Sequence, residues 1–197
     1  MLVQFMVKNF LSFREETILD MTAINAYKEH KSNLIDNGTK EKFLRVSAIY
    51  GANASGKSNL YLAMRYFQRI IVESLNNVDE NSTTAIKKYY EPFKFESSLN
   101  NSEFQIIEII NDSEYKYGFE YNESNIVAEW LYKKNLRTNR TIPIFERSYE
   151  MIEFGASVRK ECDLYKDQIP AETLLLSFFN KLKMKTNIFA EVYKGIM

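Results

Sequence analysis

Gly51, Gly56, Lys57 and Ser58 occupy the fixed positions of the pattern G-x-x-x-x-G-K-[ST], in the run Gly51-Ala52-Asn53-Ala54-Ser55-Gly56-Lys57-Ser58. Each residue type has a chemical task at that spacing. The two glycines let the backbone follow a path that side chains would obstruct, so consecutive N–H groups can turn inward on a phosphate. Lys57 can bring a positive charge to β- and γ-phosphates, and Ser58 can offer a hydroxyl to Mg²⁺. A helix that follows would aim its positive end at the same anion. The competing reading is a surface glycine turn that meets the pattern by accident. At average residue usage the odds of that in such a chain are well under ~1 in 100. The run is therefore read as a phosphate-cradling P-loop.

A cradle of this kind needs a strand before it and a helix after it, and the flanking sequence offers both. Phe43 to Tyr50 (Phe-Leu-Arg-Val-Ser-Ala-Ile-Tyr) reads as a buried strand running straight into Gly51. From Lys57 the apolar period changes: Leu60, Met64, Phe67, Ile71 and Leu75 fall on one helical stripe. Upstream, Val3, Phe5 and Val7 alternate with Gln4, Met6 and Lys8, the pattern of a half-buried strand, and Thr17 to Met21 could pair back on it as a hairpin. The Asn37-Gly38 pair marks a turn.

Downstream of a polar break at 76–84 come predicted strands at Pro92 to Phe95, Phe104 to Ile110, Tyr115 to Tyr121, Ile126 to Tyr132, Ile142 to Phe145 and Met151 to Phe154. Tyr115, Tyr117, Phe119 and Tyr121 alternate cleanly against Lys116, Gly118 and Glu120. The connections at Asn100-Asn101, Asn111-Asp112 and Thr138-Asn139 are short and turn-prone, which predicts an antiparallel meander. Pro170 opens a last helical pattern in which Leu174, Leu175, Phe178, Phe179 and Leu182 share a face, with Lys181, Lys183 and Lys185 near its end. Nothing after Met184 reads as a closing element. The expected architecture is α/β with α+β character: strand, P-loop and helix over 1–75, antiparallel β over 85–155, and a helix over 170–185, all in one lobe spanning 1–197.

Composition narrows the function classes. The chain has 197 residues, with 26 Lys+Arg balanced by 26 Asp+Glu, so no bulk positive field advertises nucleic acid or an anionic membrane. A single cysteine, Cys162, makes no internal disulfide, and its neighbours Glu161 and Asp163 argue against a reactive thiolate. One histidine and one cysteine exclude a structural zinc cluster. No apolar run approaches the ~20 residues that span a bilayer, and the first residues lack the pattern of a signal peptide. The expectation is a soluble, cytoplasmic protein.

The chain resembles the ABC-type ATPase heads of the SMC/RecF group. The likeness rests on the opening strand, on Asn9-Phe10-Leu11-Ser12-Phe13-Arg14, and on Ala48-Ile49-Tyr50 followed by the P-loop and Asn59-Leu60. Within that group, Gly-Ala-Asn-Ala-Ser-Gly-Lys-Ser-Asn resembles the AAA-type ATP-binding proteins linked to bacterial abortive infection (AbiL-like), relatives of the OLD-family defence ATPases. Looser likenesses run through Glu91 to Phe95, Tyr115 to Phe119, Glu129-Trp130-Leu131-Tyr132, Phe145-Glu146-Arg147 and Leu174-Leu175-Leu176-Ser177. The resemblance implies that Asn53, Ala54, Ser55, Gly56, Lys57, Ser58 and Asn59 wrap the phosphates of ATP with Mg²⁺ on Ser58. It also implies a partner in the form of a second copy or a further lobe, and a DNA or effector-nuclease association. Leu11 departs from the pattern, since many relatives carry a basic residue in that slot near the nucleotide. Arg14 is a candidate substitute, against the plainer reading of a solvated strand-end arginine.

Hydrolysis in such heads needs a Walker B run ending in Asp-Glu and a Ser-Gly-rich signature loop. The six glycines include no adjacent pair, and Asn77-Val78-Asp79-Glu80 has only Val78 as its apolar lead, so it reads as a solvated loop. Thr17-Ile18-Leu19-Asp20 and His30 lie before the P-loop, in the wrong order for this class. No Q-loop glutamine stands out among Gln68, Gln105 and Gln168. The expectation is an N-terminal lobe, either a fragment of a longer polypeptide or completed by another chain, that binds ATP without efficient turnover. Two other readings stay open: a small P-loop kinase with Arg137, Arg140 and Arg147 as a lid, and a non-hydrolysing nucleotide-sensing module. Those arginines read first as a charged turn, the tyrosine alternation as sheet packing, and Trp130 as core.

Overall fold

The computed structural model describes residues 1–24, 30–36, 38, 41–75, 83–96, 101–182 and 184–197. Asn37 of the predicted turn, Asn77 to Glu80, Asn100 and Lys183 lie outside the described residues. The fold is mixed α/β, built on a sheet of seven antiparallel strands. β1 (Leu2–Lys8) pairs with β2 (Thr17–Asp20) on one side and with β5 (Ser102–Ile110) on the other. The meander then continues through β6 (Ser113–Tyr121), β7 (Ile126–Asn135), β8 (Thr141–Ser148) and β9 (Met151–Phe154), giving the order β2-β1-β5-β6-β7-β8-β9. A small separate ladder joins β3 (Leu34–Asp36) to β4 (Lys42–Leu44).

Helix α1 (Lys57–Glu73) lies across the centre of the sheet. Its Phe67 ring stacks on Phe119 of β6 and meets Phe104 of β5 edge-on at 6.1 Å. The centroid separation in the stacked pair is 5.5 Å. The predicted stripe is buried at Phe67 and Ile71, joined by Ala63 and Ile70, while Leu60 and Met64 sit at its margin. The alternation of β6 is realised: Tyr115, Tyr117, Phe119 and Tyr121 are fully buried under the helices. After the short helices α2 (Ala85–Lys88) and α3 (Arg159–Cys162) come α4 (Leu175–Lys181) and α5 (Ile188–Ile196), and α5 reaches from β8 across to the end of β5. Phe189 stacks on Phe179 at 5.0 Å and on Phe145 of β8 at 6.1 Å. Among the described residues no helix is long and apolar enough to cross a membrane.

Several expectations are corrected. Phe43 to Tyr50 is not a buried strand: only Lys42–Leu44 forms a ladder, and 45–50 run exposed into the P-loop, Tyr50 at 89 %. Apolar residues are buried only where an apolar surface meets them: Arg45 and Val46 meet polar groups of Asn33 and Leu34, and no described residue covers the Val46, Ile49 and Tyr50 side chains enough to bury them. Pro92 to Phe95 is not a strand either. Pro92 has no N–H to give a ladder, and the Phe93 N–H is taken by the Asn9 side chain at 2.9 Å.

The helix expected from Pro170 starts only at Leu175, because the carbonyls of Ala171 and Thr173 are bonded to the Arg147 guanidinium instead of to a helical turn. The residues after Met184, where the sequence predicts no element, form a further helix. α5 buries Phe189, Val192 and Ile196 at helical spacing. Trp130 is half-buried on the face of the sheet opposite α1, and it is Glu129 and Leu131 that enter the core. Val3 leaves the main core for a small cluster with Phe43 and Ile109, because the β1–β5 register shifts between Leu2 and Gln4.

Candidate nucleotide-binding site

The P-loop residues come together in one exposed turn at the start of α1. Ala54 (φ 63°) and Gly56 (φ 90°) both take left-handed backbone, which reverses the chain before Lys57 begins the helix. Gly56 has a second reason to lack a side chain. A Cβ there would stand 3.0 Å from the Ser12 hydroxyl oxygen. At Gly51 a Cβ would meet Ser55 Oγ at 2.7 Å, so any side chain there would have to turn the Ser55 hydroxyl aside. The Ser55 N–H reaches the Ala52 carbonyl at 3.3 Å, a loose turn bond.

Lys57 folds back over this loop. Its ammonium donates to the Gly51 carbonyl at 2.8 Å and the Ala52 carbonyl at 2.6 Å, and weakly to Ser55 Oγ at 3.3 Å. An ammonium has three N–H donors. Two are fixed on carbonyls of the loop itself, and the third makes the longest contact, the one an anionic oxygen can take over. The charge is thus held at the mouth of the cradle by its own backbone. Gly56 closes the helix without a side-chain cap, which leaves first-turn N–H groups open to an anion. The Ser58 hydroxyl is exposed and has no hydrogen-bond partner among the described residues.

A turn from the N-terminal motif stands against this loop. The Asn59 side chain donates to Ser12 Oγ at 2.8 Å across a separation of 47 residues. Nothing local in the sequence marks that pair, although both residues lie in segments that carry the family likeness. Leu11, in the slot of the missing basic residue, is half-buried, and Arg14 is paired with Glu96 and Glu15.

The other candidates lie elsewhere. Gln68 donates to the Ile196 carbonyl, Gln105 accepts from Trp130, and Gln168 makes only a long contact to Leu164. His30 is exposed beside β3. The three arginines do not act together: Arg137 pairs with Asp112 at 2.7 Å, Arg140 lines a separate cleft, and Arg147 is buried. A kinase-like lid built on all three is ruled out by the burial of Arg147. Cys162 is buried, and desolvation with Glu161 and Asp163 pushes its thiol up to about 12, so it stays protonated. The cleft that holds Arg140, about 970 Å³, includes none of residues 51–59. Its cations Lys133, Arg140 and Arg159 are matched by Glu146, Glu153 and Glu191, so it presents no net charge to an anion.

The sequence likenesses at Glu129, Arg147 and Leu174 to Ser177 meet in a second place. Glu129 is fully buried and accepts from Tyr117, Leu175 and Leu176, with Arg147 facing it. Ser177 Oγ then donates to the Ile71 carbonyl at 2.6 Å, and Thr173 Oγ1 to the Ser74 carbonyl at 3.1 Å. The far end of the P-loop helix is thereby fastened to the segment that the Glu129–Arg147 pair organises.

Compared with protein families, residues 46–161 match the one described as "AAA domain, putative AbiEii toxin, Type IV TA system". The matched span begins just before the P-loop, runs through the whole meander to α3, and covers more than half of the chain. No curated protein matches the chain.

Proposed function

The chain belongs to this family of AAA domains, and on that premise we propose that it binds ATP, with Gly51 and Asn53, Ala54, Ser55, Gly56, Lys57, Ser58 and Asn59 around the phosphates. The observation that carries the reading is the Lys57 ammonium, held at 2.8 Å and 2.6 Å by the carbonyls of the loop it must serve. A charge fixed this way loses little further freedom when a phosphate arrives, and preorganised charge is what phosphoryl chemistry uses. The Ser58 hydroxyl, a hard oxygen donor free at the loop, fits Mg²⁺, which when bound neutralises charge on the β- and γ-phosphates.

Turnover would follow in-line attack of water on the γ-phosphate, for which the chain needs an acidic group and a Ser-Gly-rich loop from a further lobe, a second copy or another subunit. Support comes from residues 47–50, an exposed segment bearing Ile49 and Tyr50 with no strand paired to it among the described residues. That surface is what a strand of a completing lobe would cover. The toxin–antitoxin wording of the family and the likeness to abortive-infection ATPases favour a cytoplasmic role in phage defence or a DNA-linked process. A DNA or effector-nuclease partner would go with that role.

A labelled-ATP titration tests the reading. Lys57→Ala should abolish binding while the circular dichroism and melting temperature stay those of the wild type. Binding unchanged by this substitution overturns the assignment. The isolated chain should turn over little ATP, and robust hydrolysis would refute the need for a completing lobe.

A further inference from the structure

Residues Asn9 to Phe13 form a turn whose construction serves one exposed side chain. Asn9 (φ 49°) and Leu11 (φ 50°) both hold left-handed backbone without being glycine. Such conformations persist only where the surroundings over-determine them, and they gather at functional sites. The surroundings here do so. Phe10 and Phe13 exchange backbone bonds at 2.9 Å and 2.8 Å, and the Leu11 N–H donates to the Glu91 carbonyl at 2.8 Å. Asn9 is fully buried; its side chain takes the Phe93 N–H and donates to the Asn101 carbonyl, and its own carbonyl accepts the Ser102 hydroxyl at 2.6 Å. Phe10 is buried against Tyr66 of α1 and Phe104 of β5.

What this bracing delivers to the P-loop is Ser12. Its oxygen stands over Gly56, so close that any Cβ there would sit 3.0 Å from it, and it accepts the Asn59 amide at 2.8 Å. One lone pair is thus committed to Asn59, and the hydroxyl's own hydrogen has no acceptor among the described residues. The hydroxyl is exposed at the open end of α1, the end where an anion is favoured.

We propose that Ser12 is a further ligand of the nucleotide, donating its O–H to an oxygen of the phosphate chain while Asn59 fixes the direction of that hydrogen. The proposal rests on the ATP-binding reading and deepens it: Asn59 acts on the phosphates through Ser12, and the N-terminal turn becomes a wall of the cradle. A hydrogen bond to an anionic oxygen is strong enough that its loss weakens affinity roughly tenfold.

The test is a titration of the full chain with ATP and with adenosine, together with the melting temperature. Ser12→Ala should weaken ATP binding about tenfold, leave adenosine binding and the melting temperature unchanged, and be largely rescued by Ser12→Thr. Ser12→Cys, which keeps the size but donates weakly, should fall between them. Asn59→Ala should weaken ATP in the wild type and add little to Ser12→Ala. ATP affinity unchanged in Ser12→Ala, or equal losses for ATP and adenosine, overturns the role of Ser12 while leaving the Lys57 assignment standing. Wild-type protein that binds no ATP, or a Lys57→Ala variant that binds normally, overturns the nucleotide reading and this proposal with it.

Discussion

Glu129 Oε2 accepts the Leu175 N–H at 2.7 Å, and its other oxygen takes the Tyr117 hydroxyl at 3.0 Å and the Leu176 N–H at 3.1 Å. A carboxylate in the core thus sets where α4 starts. Arg147 faces it and spends its guanidinium on the carbonyls of Tyr149, Thr173 and Ala171, so both groups are enclosed with their hydrogen bonds made. Removing one partner of such a pair strands the other. Glu129→Ala should cost about 3–5 kcal/mol in a urea titration, more than Arg137→Ala at the exposed pair with Asp112, where about 0–1 kcal/mol is expected. Equal effects of the two substitutions would show that the buried pair does not organise the fold.

Glu108 of β5 gives a pH dependence. It lies under α5, where a Cβ on Gly195 would come 2.7 Å from its carboxyl, and its Oε1 has no hydrogen-bond partner. Burial pushes the carboxyl from its ordinary 4.5 up to about 7, against the pull of the Met1 ammonium; burial raises Glu129 to about 7 as well. Between those two values the folded chain holds protons that the unfolded chain has released. Stability is therefore fullest below the ordinary carboxylate range, falls as pH rises, and levels off above about 7. Between pH 5.5 and pH 8 each group should contribute roughly 2 kcal/mol of this loss. Glu108→Gln should remove about half of the slope of unfolding free energy against pH. A slope identical to that of the wild type would mean that Glu108 does not titrate in this window.

The parts of the molecule that could be read from the sequence are those decided locally. Residue types at fixed spacing announce Gly51 to Ser58, a period of two announces β6, and Met151 to Phe154 is a strand with the bounds its pattern suggests. The parts that could not be read depend on distant partners. Glu129 looks like a solvent residue beside a core tryptophan until Arg147 and the N–H groups of Leu175 and Leu176 are brought to it, and then the faces of the two exchange. Val46 to Tyr50 has the composition of a buried strand, but composition supplies only the tendency, and the burying surface must come from elsewhere. The α5 signal was present in Phe189, Val192 and Ile196, though a nine-residue helix with Gly195 near its end is short and propensity alone argues weakly for it. Ser12 and Asn59 lie too far apart in sequence for any local pattern to pair them.

Gly118 offers a test of the sheet that carries the site. It sits in the middle of β6 opposite Gln105 on one side and Trp130 on the other, on the face away from α1. The Trp130 indole lies across it and donates to Gln105 Oε1 at 3.1 Å. A Cβ at 118 would meet the indole at 2.6 Å and the Phe104 carbonyl oxygen at 2.8 Å. The indole can tilt away, but the Phe104 carbonyl belongs to the backbone of β5 and moves only if the two strands part. Gly118→Ala should therefore lower stability by about 1–3 kcal/mol, the usual cost of overpacking. It should do so although alanine otherwise suits an ordered strand better than glycine. Adding Trp130→Ala should relieve the indole clash and leave the one with Phe104, so the double variant should not regain the stability of Trp130→Ala alone. Urea midpoints of the four proteins decide it: a Gly118→Ala chain as stable as the wild type would show that β5 and β6 have room to separate.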